Sequence, residues 1–200
     1  MRDHYLIQAN LARTSGEASQ FLSRQQPSFD SIGEEFSKHV ESIWIEAKRL
    51  SVDSGSLFEM LVGSIFIAAD LTPLYSNAEL KEAIGLEMDY LIWNSKSDAP
   101  VCFQLTSTLR ERFRLADLQA FKVKTRYPRA EFHLLTMDSK DVARRKSTNF
   151  ESLDSLIYCG DDSFDRLIRG VKERVKPSLV ERELLDTKGL TLHVDSGSSS

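Results

Sequence analysis

Leu86-Glu87-Met88-Asp89-Tyr90-Leu91-Ile92-Trp93, the polar turn 94–98, and Val101-Cys102-Phe103-Gln104-Leu105-Thr106 decide the fold. Each apolar run is rich in aromatic, β-branched and bulky residues, and the turn between them is polar, so two strands paired as a hairpin are expected. Side chains in a strand alternate, which puts Glu87 and Asp89 on one face of their strand, and Gln104 and Thr106 on one face of theirs. Asp89 stands at mid-strand among Met88, Tyr90, Leu91 and Ile92. Burying a carboxylate there is costly unless a cation, a donor or a metal compensates. The plainer reading leaves the Glu87/Asp89/Leu91/Trp93 face partly exposed.

Beyond the hairpin, Thr108 is read as the cap of a long helix with the apolar stripe Leu109, Phe113, Ala116, Ala120 and Val123. Its opposite face carries Arg110, Arg114, Asp117 and Lys124, and Tyr127-Pro128-Arg129 ends it. A third strand over 131–137, a basic polar, helix-like loop over 138–150, a fourth strand over 155–159 and a helix marked by Phe164, Leu167, Ile168, Val171 and Val175 follow. Before the hairpin, Phe36, Val40, Ile43, Ala47 and Leu50 recur at helical spacing in a helix expected from about residue 32. A break at 51–56 precedes a helix over 56–69 that is apolar nearly all round and so should be buried. Within it Ser56, Glu59, Gly63 and Asp70 form one small polar face, open either to water or to a ligand. Only a short extended segment is expected around Leu74-Tyr75. The order implies an α/β domain with a mixed central sheet flanked by helices on both faces. Residues 1–54 are read as a helical region packed on a core of 55–185, with a C-terminal tail at 186–200, Gly/Ser-rich from about Asp195.

A chain of 200 residues, 41% hydrophobic and 28% charged, fits one ordinary soluble domain. No apolar run approaches the ~20 residues of a membrane span. Cys102 and Cys159 lie in apolar stretches and form no CxxC pair, so they read as small buried hydrophobes. Free thiols without a secretory leader pattern lead to the expectation of a cytoplasmic protein. Net charge is −4, yet residues 101–150 carry eleven Lys/Arg against five acids, +6 for this quarter and −10 for the remainder. A basic region on an acidic chain is a usual footprint of a polyanion site, although a solvated helix face has the same composition. His4, His39, His133 and His193 are scattered, with no HxH or HExxH, which argues against zinc; His133 reads as a satisfied core histidine. GxxxxGK[ST], GxGxxG and GxSxG are absent from the sequence.

Glu59 on a helix, Asp89 on the first strand of a hairpin and Gln104-Leu105-Thr106 on the second resemble the arrangement of the PD-(D/E)XK, restriction-endonuclease-like family. The run from Gln104 to Asp117, with Leu109-Arg110-Glu111-Arg112-Phe113 at its centre, is similar to a stretch of many restriction endonucleases; the resemblance spans 55–159. It implies a Mg²⁺-dependent endonuclease of double-stranded DNA, of type II-like restriction kind, working as a homodimer. Glu59, Asp89 and Gln104 would hold the metal, with Thr106 completing the catalytic set. Arg110, Arg112, Arg114, Lys122 and Lys124 would contact DNA. Two departures stand out. Met88 replaces the proline of the motif name, and Gln104-Leu105-Thr106 replaces (D/E)XK, so the third carboxylate becomes an amide and the lysine a threonine. Arg110, Arg112, Lys122 or Lys124 could supply the missing cation; otherwise catalysis is slow, or a degenerate domain binds DNA or partners an active subunit without cutting.

Overall fold

In a computed structural model that describes residues 18, 20–22, 24, 35–50, 52, 54–83, 85–145, 148–180, 184–186 and 189–191, the expected hairpin forms the middle of a mixed sheet. Helical residues at 18, 20–22 and 24 are followed by the helices α1 (Phe36–Arg49) and α2 (Ser54–Ala68). Strands β1 (Leu74–Leu80), β2 (Glu87–Asn94) and β3 (Ala99–Thr106) then run as an antiparallel meander. Helix α3 (Arg112–Arg126) crosses over to β4 (Glu131–Thr136), which lies parallel to β3 and pairs Leu134 with Gln104. The short α4 (Ser139–Arg144) precedes β5 (Ser155–Tyr158), parallel to β4. Helix α5 (Asp162–Arg174) and the short strands β6 (Pro177–Ser178), β7 (Leu184–Asp186) and β8 (Gly189–Thr191) complete the described chain. Six strands follow the order β5-β4-β3-β2-β1-β7, with β6 against β2 and β8 against β1.

Alternation along β2 and β3 divides the core between the two faces of the sheet. Tyr90, Ile92, Val101, Phe103 and Leu105 pack with α1, α2 and α5, and the buried Ala18, Phe21 and Leu22 join them. Leu91, Trp93 and Cys102 face Phe113, Ala116, Ala120 and Val123 of α3. Each large side chain fully buried in this way contributes roughly 1.5–3 kcal/mol. Helix α2 is enclosed as its all-round apolar sequence requires, and Phe66 on it stacks against Phe103 (4.6 Å) and edge-on to Tyr90 (5.7 Å). Buried Asp165 of α5 ties down α1 by accepting from the Ser37 backbone N–H (2.9 Å) and the Ser37 hydroxyl. His133 is buried between Ser155 and Glu131, and both cysteines are free and buried, as their sequence settings predict.

Three expectations change. The extended segment near Leu74-Tyr75 is a full strand of 7 residues, β1, because β2 and the C-terminal β7 and β8 all pair with it. Strand β8 lies within 186–200, whereas residues 192–200 and most of 1–34 lie outside the described residues. Helix α3 starts at Arg112 rather than at Thr108, because Arg110 adopts a left-handed φ of 34° in a loop that Asp138 anchors through the Leu109 N–H (3.3 Å). A residue in the left-handed region does not continue a helix.

Among the described residues no helix is long and apolar enough to cross a membrane.

Candidate metal and phosphate site

The β2–β3 ladder runs from Asn94–Ala99 to Tyr90–Phe103, and one step further sets Asp89 opposite Gln104. Their side chains meet. Gln104 Nε2 donates to Asp89 Oδ2 at 2.7 Å, and the Leu105 backbone N–H donates to the same oxygen at 2.6 Å. Gln104 Oε1 is buried and has no hydrogen-bond partner, so the amide is satisfied on its donor side only. A buried polar oxygen left this way costs about 1–3 kcal/mol.

Burial pushes the Asp89 carboxyl up to about 7. The Leu105 N–H works against that shift; the negative charges of Glu59 and Glu87 add to it, and Arg112 opposes it. Glu59 lies on α2, packed against the Tyr90 face of the sheet, opposite the face that carries Asp89 and Gln104; its backbone carbonyl accepts the Tyr90 hydroxyl at 2.9 Å. Close packing makes this possible, since a Cβ at Gly63 would run into the Tyr90 hydroxyl. The small face of α2 at Gly63 is therefore filled by Tyr90, which leaves no room there for water or a ligand.

Gln104 and Thr106 also line a small open pocket of about 40 Å³, closed by Arg112, Leu115 and Gln119 of α3 and by Leu134 of β4. Thr106 offers no charge, and its hydroxyl donates to the Thr108 carbonyl (2.6 Å), holding the loop that leads to α3. The cation on the pocket wall is Arg112, whose field also reaches Asp89.

The remaining basic residues separate. Lys124 is paired with Asp154 at 2.7 Å, so it is engaged in the fold rather than held out to a phosphate. Arg114 pairs with Glu111 (3.5 Å) on the surface, and Lys122 projects outward from α3. Arg110 sits in the loop, exposed, with its carbonyl accepting from Arg145 Nη2 (3.3 Å). Asp117 is structural, because its carboxylate accepts the backbone N–H groups of Glu151, Ser152 and Leu153. Three residues around the site were not singled out from the sequence. Gln119 lines the pocket. Arg145 lies 3.6 Å over the Phe113 ring, and Asp138 links the loop before α3 to the start of α4 through Leu109 N–H and Asp141 N–H. Asp138 followed by Ser-Lys-Asp has the form of an N-cap, and that was the available signal.

Among the described residues, no three His, Cys, Asp or Glu side chains form a group able to hold a metal ion. Asp89 and Gln104 bring one carboxylate and one amide carbonyl together, hard oxygens of the kind Mg²⁺ takes, with the charge of Glu59 felt at Asp89 from α2. The pair fits a cation on two counts. The Gln104 carbonyl oxygen has no donor to satisfy it, and the Asp89 carboxylate stands in the field of two further acids.

Comparison with family models, with curated proteins and with solved structures finds no match.

Proposed function

We propose that this protein is a Mg²⁺-dependent endonuclease that hydrolyses phosphodiester bonds of double-stranded DNA, of type II-like restriction kind. The observation that carries the reading is the cross-strand pair Asp89–Gln104, bonded to each other while the Gln104 carbonyl oxygen stays buried and unsatisfied. Asp89, Gln104 and Glu59 would hold the ion. When bound, Mg²⁺ supplies neutralisation of charge at the scissile phosphate and a more acidic water. The chain's own contribution is to fix Asp89 through the Leu105 N–H and to present Arg112 at the pocket beside Gln104 and Thr106. A guanidinium there can take two phosphate oxygens at once, and it fills the role that uncharged Thr106 leaves vacant. Cutting both strands of a palindromic site would call for two copies of the chain.

A second reading, a domain that binds DNA without cutting it, is favoured by Thr106 itself, which carries no charge and spends its hydroxyl on Thr108. Supercoiled plasmid incubated with the pure protein and Mg²⁺ tests both. Cleavage that is lost in Asp89→Asn and Arg112→Ala, and retained in Lys124→Ala, is the expected result. Retardation of the plasmid without nicking, in Mg²⁺ and in Mn²⁺, would replace the first reading by the second. Absence of both cutting and retardation would remove DNA from the account.

A further inference from the structure

The outward face of α3 carries a row of large apolar side chains that the fold leaves uncovered. Leu115, Leu118 and Phe121 are 48%, 52% and 57% exposed, three of the six large hydrophobic residues exposed among the described ones. At about 100° per residue they span one side of the helix, centred on Leu118 and opposite the buried stripe Phe113, Ala116, Ala120 and Val123. Three neighbouring exposures on one helical face differ from single scattered ones, which need no explanation.

Charge decides what covers the row. Arg114 and Lys122 stand on the same outer face, and Arg126 continues it at the C-terminal end. Asp117 is the one acid within the helix and is used by the backbone of 151–153; Glu111 at the N-cap pairs with Arg114, and the face stays net positive through Lys122 and Arg126. A second copy packed antiparallel about Leu118 would place Arg114 of one chain against Lys122 of the other. A parallel pairing would place each cation against its own counterpart. Like charges brought together at an interface core are costly, so self-association through this face is disfavoured. A lipid surface fits poorly too. Arg114 and Thr125 lie within the apolar row rather than at its rim, so a flat apolar layer would have to take up a charge together with the leucines.

We propose that the Leu115–Leu118–Phe121 face of α3 docks an amphipathic helix of a partner protein, with acidic residues flanking its apolar anchors. The apolar side chains would supply the burial, and Arg114 and Lys122 would select the partner by charge. The proposal does not depend on the chemistry at Asp89 and stands if no cleavage is found.

The probe is a designed helical peptide of about 15 residues, labelled for fluorescence anisotropy, with leucines at helical spacing and glutamates beside them. A second peptide has every glutamate replaced by lysine. The acidic peptide should bind the full-length protein and the basic one should not. Leu118→Glu should weaken binding about tenfold or more, as loss of a central anchor does. Arg114→Glu with Lys122→Glu should invert the preference, so that the basic peptide binds. Because these positions are exposed, each variant should keep the circular dichroism spectrum of the parent. Equal binding of the two peptides, or a preference that the charge-reversed variant retains, would overturn the proposal. It would also be overturned by a dimer in sedimentation velocity that Leu118→Glu dissolves, which would make a second copy the occupant. The same holds for Leu118-dependent binding to phosphatidylserine vesicles in place of the acidic peptide.

Discussion

Gly63→Ala is the smallest change that should disturb the arrangement around Asp89. The new methyl would lie 2.7 Å from Tyr90 Cζ and closer still to the hydroxyl, inside contact distance. Tyr90 cannot swing aside freely, because it is 2% exposed, packs edge-on to Phe66 and donates to the Glu59 carbonyl at 2.9 Å. Overpacking of this kind costs about 1–3 kcal/mol. Loss of the buried hydrogen bond adds about 1–3 kcal/mol. Alanine in a helix interior returns up to about 1 kcal/mol of that. The net expectation is a loss of about 3 kcal/mol (range about 1–6), which at a mid-range urea slope of about 2 kcal/mol/M lowers the midpoint by about 1.5 M. Tyr90→Phe removes the nearest clashing atom, so the double variant should be less destabilised than the two single changes added together. Since the same contact sets the spacing of α2 from β2, Gly63→Ala should also weaken any property that needs Glu59 beside Asp89. A Gly63→Ala protein as stable as the parent, or more stable, would refute the reasoning, for it would mean that helix propensity outweighs the Tyr90 contact.

Other consequences can be measured separately. Glu131 is held down to about 2 from an ordinary 4.5, first by its hydrogen bond from His133 and then by Arg174. A depressed acid stabilises the fold above its unfolded pKa and loses that contribution as pH falls through the folded value. Stability should therefore fall between about pH 5 and pH 2 by about 1–3 kcal/mol, and Glu131→Gln should flatten that part of the curve; an identical pH profile for the variant would contradict the assignment. Asp117→Ala should cost about 1–2 kcal/mol in urea denaturation by releasing the amides of 151–153, and should leave DNA retention unchanged. Weaker retention at unchanged stability would reverse its role. Gln104→Glu combined with Thr106→Lys restores a third carboxylate and a cation; Mg²⁺-dependent cleavage should rise roughly a hundredfold. A folded double variant with no gain would count against a nuclease site.

The hairpin was legible because its signals are local: two apolar runs, a polar turn and side-chain alternation placed Asp89 and Gln104 without any knowledge of the rest. The buried α2 and the core settings of His133 and Cys102 were legible on the same grounds. Features that depend on distant partners were not. Leu74-Tyr75-Ser76-Asn77-Ala78-Glu79-Leu80 is too polar to announce a strand, and β2, β7 and β8 supply the pairing that makes it one. Thr108 has the chemistry of a helix cap, but Arg110 turns left-handed in a loop anchored on Asp138, 29 residues away, and the helix starts only at Arg112. Lys124 reads as a free cation until Asp154, 30 residues further on, is brought against it. Gly63 reads as an opening in α2, and only the sheet shows that Tyr90 fills it. The assembly of Arg112, Gln104 and Thr106 around one pocket likewise depends on how α3 lies across β3 and β4.

The central claim is that Asp89 and Gln104 form an ion site, and calorimetric titration with Mg²⁺ in the absence of DNA addresses it directly. Hard-cation sites gain affinity with the number of anionic oxygens. The parent should bind the ion, Asp89→Asn should lose that binding while remaining folded, and Gln104→Glu should bind more tightly than the parent. Mg²⁺ binding equal in all three proteins, or absent in the parent and in Gln104→Glu alike, would contradict the account.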